Sequence, residues 1–339
     1  MKILAIETSC DETAAAVVSK NPGESYVKIL SNVVASSLML HSKTGGIIPD
    51  VAAREQLKFI IPVIEKAIKT SKIKIEDLDA IAITQGPGLI GSLLIGVETA
   101  KTLSFLWKKP IIPVNHLFGH IYANFIQAPK LDAVQFPAIA LLVSGGHTDL
   151  VLIKNHNNFK WLGGTRDDAA GEAFDKIGRL LNLPYPAGPT MEALAKNGDE
   201  KAFNFPRPMI GSRDFDFSFS GLKAAVWRET KKLGSSVNYS PSTINDICAC
   251  VQKSIIEVLV RKTLKAAKKY NVKSILLGGG VAANQKLRDE IKLKTKIKFF
   301  FPEKGLCTDN AAMIGAYAAF HPEEKSWEKI NANPELYFD

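Results

Sequence analysis

The segment VNHLFGHIY, residues 114–122, places His116 and His120 four residues apart. Four residues are just over one turn of an α-helix, so both imidazoles point to one side, and that spacing suits a divalent metal. Zinc-peptidase helices share this spacing, with a Glu after the first His acting as general base. Here that position is Leu117, so a metal on this helix would lack its hydrolytic partner. Packing of both rings in a core is the alternative. Near the other end of the chain, CTDNAAMIGAYAAF sets Asp309 and Asn310 at the mouth of an apolar helix. An N-cap is the plain reading. With His116 and His120, Asp309 would instead complete a two-histidine, one-carboxylate set, which leaves metal positions open and fits iron(II) or zinc.

Three further stretches carry possible chemistry. ETSCDET gathers Glu7, Asp11 and Glu12 around one turn. Such acids hold a metal or water, or move a proton, or are simply solvated. VSGGHTDLVLI puts Gly145 and Gly146 in a strand-to-strand turn, where bare backbone can approach an anion, or where a hairpin just turns. SILLGGGVAANQKLRDEI runs from a buried strand through three glycines into a helix, a place for a nucleotide against backbone. Its spacing is not G-x-G-x-x-G, which disfavours a Rossmann dinucleotide site. A side chain at Gly145 or Gly279 is therefore expected to block ligand approach more than it weakens the fold. DFDFSFSGLKAAVW (214–227) interleaves aromatic, acidic and small residues and reads either as a channel wall or as core packing.

The elements that must position these residues follow from periodicity. Residues 3–6 and 14–18 read as strands around the acidic turn, and 53–69 and 91–107 as helices. DAIAITQGPG is a buried strand entering a glycine turn. KPIIPVNH brings a strand to the histidine helix, with Asn115 as its N-cap. KILAIETSCDETAAAVVSK and AIALLVSGGHTDLVLIK share one pattern of strand, polar turn and strand, which points to two related lobes of α/β type. The expected division is 1–135 with 310–330 as the first lobe, and 136–309 as the second. A loop-rich insertion falls at about 184–240 and a tail at 331–339. A long helix is expected over about 244–270. Helix 91–107 is apolar over an arc wider than one core-facing stripe needs. It is either buried on two sides or docked to a partner.

Composition bounds the classes. The 339 residues are 46% hydrophobic and carry a net charge of +9, a globular balance with a basic surplus that favours an anionic partner such as nucleic acid. The four cysteines form no C-x-x-C pair, which fits a reduced cytosol. The start does not read as a signal peptide, and the longest apolar run, GLIGSLLIGV, is too short to span a bilayer. A cytoplasmic protein without membrane contact is expected.

Taken in order, ILAIETSCDETAAAVV, GGIIPDVAAREQ, TQGPGLIGSLLIG, VNHLFGH, LLVSGGHTDLVLI, DDAAGEAFDKIGRLL, YPAGP, FSFSGLKAAV, LLGGGVAANQKLR and CTDNAAMIG closely resemble the bacterial TsaD family over nearly the whole chain. These are the enzymes of tRNA threonylcarbamoyladenosine synthesis, once known as O-sialoglycoprotein endopeptidases. The resemblance implies an actin-like, sugar-kinase-like (ASKHA) fold with a nucleotide cleft between two lobes. It implies transfer of threonylcarbamoyl from threonylcarbamoyl-adenylate to the exocyclic amine of the adenosine beside the anticodon, in tRNAs reading codons that start with A. The family's metal ligands fall on His116, His120 and Asp309. Its adenylate contacts fall on Leu142, Val143, Ser144, Gly145 and Gly146, and on Asp175, Gly188 and Asn284. Asp11 or Glu12 would take the amine's proton, or orient water and metal. Iron(II), or zinc, would be the metal. A smaller paralogue, TsaB, and an ATPase, TsaE, would be partners. Many bacterial members carry an acid in the middle of the histidine motif, where this chain has Phe118. A peptidase is disfavoured by Leu117, a kinase by the lack of glycine in the first turn, and an inert scaffold by the intact ligand set.

Overall fold

The computed structural model describes residues 1–126, 133–233 and 240–338. The chain forms two compact units, Met1–Val134 with Pro302–Asp339, and Gln135–Phe301. The first unit opens with β1 (Lys2–Glu7), β2 (Glu12–Ser19) and β3 (Lys28–Ser36), followed by α1 (Leu38–Thr44) and α2 (Pro49–Ser71). β4 (Ala80–Gly86), α3 (Ile90–Trp107), β5 (Ile111–Asn115) and α4 (His116–Tyr122) complete its N-terminal part. The sheet order is β3-β2-β1-β4-β5. β1, β2 and β3 are antiparallel, while β4 and β5 run parallel to β1. Leu4, Ile6, Val17, Ile81 and Ile83 form a core with Ile60, Val63 and Ile64 of α2 and Val97 and Ala100 of α3. β1 is buried on both faces, which explains its unbroken apolar run.

The second unit repeats the plan. β6 (Ala138–Val143), β7 (Thr148–Asn155) and β8 (Asn158–Gly164) form an antiparallel meander, then α5 (Ala170–Leu180), α6 (Ala187–Ala195), α7 (Ser220–Leu233) and α8 (Pro241–Lys269) follow. β9 (Ser274–Gly278), α9 (Gln285–Lys294) and β10 (Lys298–Phe300) end it, with β9 parallel to β6 and β10 parallel to β9. The order β10-β9-β6-β7-β8 is that of the first sheet: a central strand, a meander on one side, a parallel pair on the other. The chain then returns to the first unit, where α10 (Ala311–Phe320) packs on β1, β2 and α4.

Two sequence expectations need correction, the unit boundary and the insertion. The second unit ends at Phe301, not at 309, so the loop carrying Asp309 belongs to the first unit with α10. The sequence marks only the helix start, because nothing in the preceding loop signals a change of unit. The expected tail is tied to the first unit. Asn333 N–H donates to Gln85 O at 2.8 Å and Asn115 Nδ2 to Tyr337 O at 2.6 Å, which straps 331–338 across the ends of β4 and β5. The expected insertion is only partly loop, since it contains α6 and α7. Its aromatics resolve one alternative: Phe215, Phe217 and Phe219 are buried, while Asp214, Asp216 and Ser218 between them are not, so the stretch is core packing with period two. Among the described residues no helix is long and apolar enough to cross a membrane.

Candidate active site

β5 ends at Asn115, whose side chain accepts the Leu117 N–H at 2.8 Å and starts α4 as an N-cap. All seven residues of α4 are buried. A single buried turn thus carries His116 and His120 with their rings edge to face, centroids 4.7 Å apart. From the C-terminal segment, Asp309 Oδ1 lies 3.1 Å from His120 Nε2 and 3.6 Å from His116 Nε2. One donor atom from each of the three falls within 4.8 Å of the others.

Glu7 is fully buried, and its role is not apparent in the sequence. Spacing alone groups it with Asp11 and Glu12, but it turns the other way. It accepts bonds from Ser9 N–H, from Thr84 Oγ1 at 2.6 Å and from His116 Nδ1 at 3.0 Å. Burial pushes its carboxyl up, yet the facing His116 and the Ser9 bond outweigh this and hold it below the usual range. Burial likewise opposes charge on His116, but Glu7 and Asp309 push its pKa up to about 9 in the metal-free chain. With Nδ1–H committed to Glu7, Nε2 is left toward Asp309, which is the arrangement by which an outer carboxylate orients a metal-ligating imidazole. His120 is 1% exposed; neither ring nitrogen forms a well-aligned hydrogen bond among the described residues, and Nε2 faces Asp309 Oδ1. A buried imidazole in that state is costly, and a metal at Nε2 removes the cost. The residues fit a divalent cation of the two-histidine, one-carboxylate class.

Asp11 and Glu12 stand at the start of β2. Gln56 Nε2 fixes this turn by donating to Cys10 O and Glu12 O, both at 3.0 Å, and Ser92 Oγ donates to Cys10 O at 3.0 Å. Burial, then the charges of Asp309 and Asp11, push the Glu12 carboxyl up. Burial pushes the Cys10 thiol up as well, which disfavours its thiolate.

In the second unit, Leu142 and Val143 close β6 with both side chains buried, so only their backbone is on offer. Ser144 N–H donates to His147 O at 2.9 Å and closes the turn. A Cβ on Gly145 or Gly146 would meet nothing within 4 Å, and neither has a left-handed φ. The fold itself does not need glycine there. Gly279 is the opposite case: its φ is +89°, and a Cβ would lie 2.3 Å from Val143 O. The expectation that a side chain at Gly279 mainly affects ligand is therefore corrected, because it would strain the backbone and strike β6. Gly171, at the start of α5, donates its N–H to Ser144 O at 3.1 Å, so the β6–β7 turn, Gly279 and the α5 start meet at one place.

The remaining expected contacts form two smaller groups. Asp175 Oδ1 accepts the Ala187 N–H at 2.7 Å, beside Gly188, and burial pushes its carboxyl up. Space is open over Gly188. Asn284 caps α9 through Leu287 N–H at 3.0 Å and donates Nδ2 to Gln252 Oε1 at 2.9 Å, which leaves its amide little to offer a ligand.

Two sheets of one order, one unit bearing a histidine–carboxylate cluster and the other open glycine turns, define a two-lobed protein of the actin-like, sugar-kinase-like class. The fold is similar to that of about half of the HypF chain, solved in a phosphate- and nucleotide-bound form, with TM-score 0.62 at 13% identity over 96% of this chain and 47% of that one. At the level of sequence, residues 28–316 match the profile of TsaD, tRNA N6-adenosine threonylcarbamoyltransferase. The chain is 46% identical over 342 residues to the enzyme of that name from Moorella thermoacetica, covering 98% of this chain and 96% of that one. It is 48% identical over 344 residues to the one from Listeria monocytogenes serotype 4b, covering 99% and 96%. The chain belongs to the tRNA N6-adenosine threonylcarbamoyltransferase family, and is a transferase.

Proposed function

We propose that this chain takes the threonylcarbamoyl group from threonylcarbamoyl-adenylate and places it on the exocyclic amine of the adenosine beside the anticodon, in tRNAs reading codons that begin with A. The observation that carries the metal-dependent form of this reading is the His116–His120–Asp309 cluster, with His120 making no well-aligned hydrogen bond among the described residues and Glu7 behind His116. The amine is a poor nucleophile because its lone pair is delocalised into the purine. Its nitrogen bonds to the carbamoyl carbon, the bond from that carbon to the phosphate oxygen breaks, AMP leaves, and one proton leaves the nitrogen.

His116, His120 and Asp309 would hold a divalent metal, iron(II) or zinc, which when bound supplies a Lewis acid against the charge that develops on the donor. Glu7 keeps His116 in the tautomer that presents Nε2. In the Leu142–Gly146 turn, the backbone of Gly145 and Gly146 receives the phosphate of the donor. Open space over Gly145, Gly146 and Gly188 admits the adenylate, with Asp175 and Asn284 fixing the helix starts around it. Asp11 or Glu12 takes the proton. Leu117 supplies no general base for water, and the burial of α4 keeps water from competing for the donor.

The exposed Leu57, Phe59 and Ile61 of α2 and Ile90, Leu94, Phe105 and Leu106 of α3 support a protein partner on the first unit, which we assign to the smaller paralogue TsaB; the ATPase TsaE would act with this pair. A cytoplasmic location follows from a tRNA substrate. The test is to incubate the chain with threonylcarbamoyl-adenylate, iron(II) and unmodified tRNA, then digest and analyse the nucleosides. Threonylcarbamoyladenosine is expected. Its absence, with peptide or ATP hydrolysis in its place, would overturn the reading.

A further inference from the structure

α7 turns Leu222, Ala225 and Val226 inward and Lys223, Trp227 and Lys231 outward, one helical turn apart. Trp227 is 49% exposed, more than Trp161 at 42%. Lys231 Nζ stands 5.6 Å from the indole centroid. Lys223 lies 4.0 Å from Asp168, and Lys232 is paired with Glu229 at 2.7 Å. Arg228 and Lys231 make no ion pair among the described residues. Beside this face is a half-open cleft of 340 Å³, lined by Asn204, Phe205, Pro206, Ala225, Arg228 and Glu229, so that Arg228 borders both.

A lone exposed indole is ordinary on a protein surface. This one is set apart by cations one turn before and after it, and by Arg228 and Lys231 having no acidic partner among the described residues. The exposed face of α2 and α3 in the first unit is built from Leu, Ile and Phe, the chemistry of a protein contact. The α7 face joins one flat π surface to positive charge, the chemistry of a base stacked on an aromatic side chain with its phosphates held by Lys and Arg.

We propose that the outer face of α7 is an RNA-binding surface, on which an unpaired base of tRNA stacks on Trp227 while Arg228 and Lys231 meet the adjacent phosphates. The cleft receives the neighbouring nucleotide, with Asn204 and Glu229 as hydrogen-bonding groups. This rests on the reading that tRNA is the substrate.

The experiment measures binding of transcribed, unmodified tRNA to the full chain across a salt series. Wild-type affinity is expected to fall steeply with salt. Trp227→Ala should weaken binding about tenfold, and Trp227→Phe, which keeps a π face, should restore most of it. Arg228→Ala and Lys231→Ala should each lower the log–log salt slope by about 1. Wild-type affinity and slope in all three alanine variants, with tRNA still bound and modified, would overturn this inference alone and leave the α7 face to a protein partner. Failure of the wild-type chain to bind or modify tRNA would overturn the functional reading, and this inference with it.

Discussion

Glu7 and His116 are one unit of charge, while His120 stands apart from it, and variants should sort accordingly. Glu7→Gln keeps the shape but weakens the acceptor behind His116. It should lower metal affinity by about ten- to hundredfold with little change in the metal-bound fold, as an outer carboxylate does. Calorimetric titration with the metal checks this. His116→Ala is a poorer probe than the sequence suggests, because it would leave Glu7 buried without its main partner, at a cost on the order of 3 kcal/mol. The pair also sets a pH dependence. In the metal-free chain His116 has its pKa raised from 6.5 to about 9, so the stability it contributes is fully present below pH 6.5 and lost as pH rises through about 9. Metal-free melting temperature should therefore fall across that window. Because metal displaces the same proton, apparent metal affinity should rise over the same range and then flatten. The glycines give a second contrast. Gly145→Val projects into open space and should weaken adenylate binding while leaving the melting temperature nearly unchanged. Gly279→Ala should destabilise the fold by about 2 kcal/mol or more, through its left-handed φ and its approach to Val143 O. Equal thermal costs at the two positions would contradict this division.

At the scale of elements, the cluster depends on how closely α4 approaches α10. Gly119, one residue before His120 on α4, makes this approach possible. A Cβ there would lie 2.8 Å from Ile314 Cδ1 and 3.4 Å from Met313 Cγ. Phe118 stacks on Tyr317 at 5.5 Å, and Tyr122 meets Tyr317 edge-on at 5.1 Å, which adds aromatic contact between the two helices. Phe118, at the position where the family resemblance leads one to expect an acid, is thus an apolar clamp in this chain. Gly119→Leu should push α4 away and lose metal binding. Adding Ile314→Ala to make room should recover a measurable part of it, a coupling that a double-mutant cycle reads directly. Much at this scale is legible in the sequence. The histidine helix, its Asn115 cap, the central strands of both meanders and the long α8 all follow from periodicity and capping chemistry. The pairing of Glu7 with His116 is not legible, because residues 7 and 116 meet only once β1 lies beside β4, and β4 beside β5, in the sheet. The unit boundary at Pro302 is hidden for a similar reason: it is set by contacts of α10, and the loop before it carries no change of composition. β3, β8 and β10 lack the strong apolar runs of the central strands, since each lies at a sheet edge and is half-exposed.

For the whole molecule, the repeated sheet order explains why one sequence pattern appears twice, and the two units carry different chemistry on it. The first holds the candidate metal centre and an exposed apolar face; the second holds the glycine turns and the basic α7 face. The apolar face of α2 and α3 predicts association. The purified chain should sediment as more than a monomer or turn over slowly alone, and Phe105→Ser with Leu106→Ser should make it monomeric. A strictly monomeric wild-type chain with full multiple turnover would remove the need for a partner there. The central claim, that the buried histidine–carboxylate cluster binds the metal on which transfer depends, is tested most directly at His120. Its ring makes no well-aligned hydrogen bond among the described residues, and its neighbour Asp309 is only part-buried, so His120→Ala removes a ligand without stranding a fully buried partner. Metal content and single-turnover transfer to tRNA should be measured together on the wild-type and variant chains after reconstitution with iron(II) or zinc. The predicted result is about one metal per wild-type chain, and a folded variant that has lost both the metal and the formation of threonylcarbamoyladenosine. A folded His120→Ala chain with full metal content and an undiminished transfer rate would contradict the account.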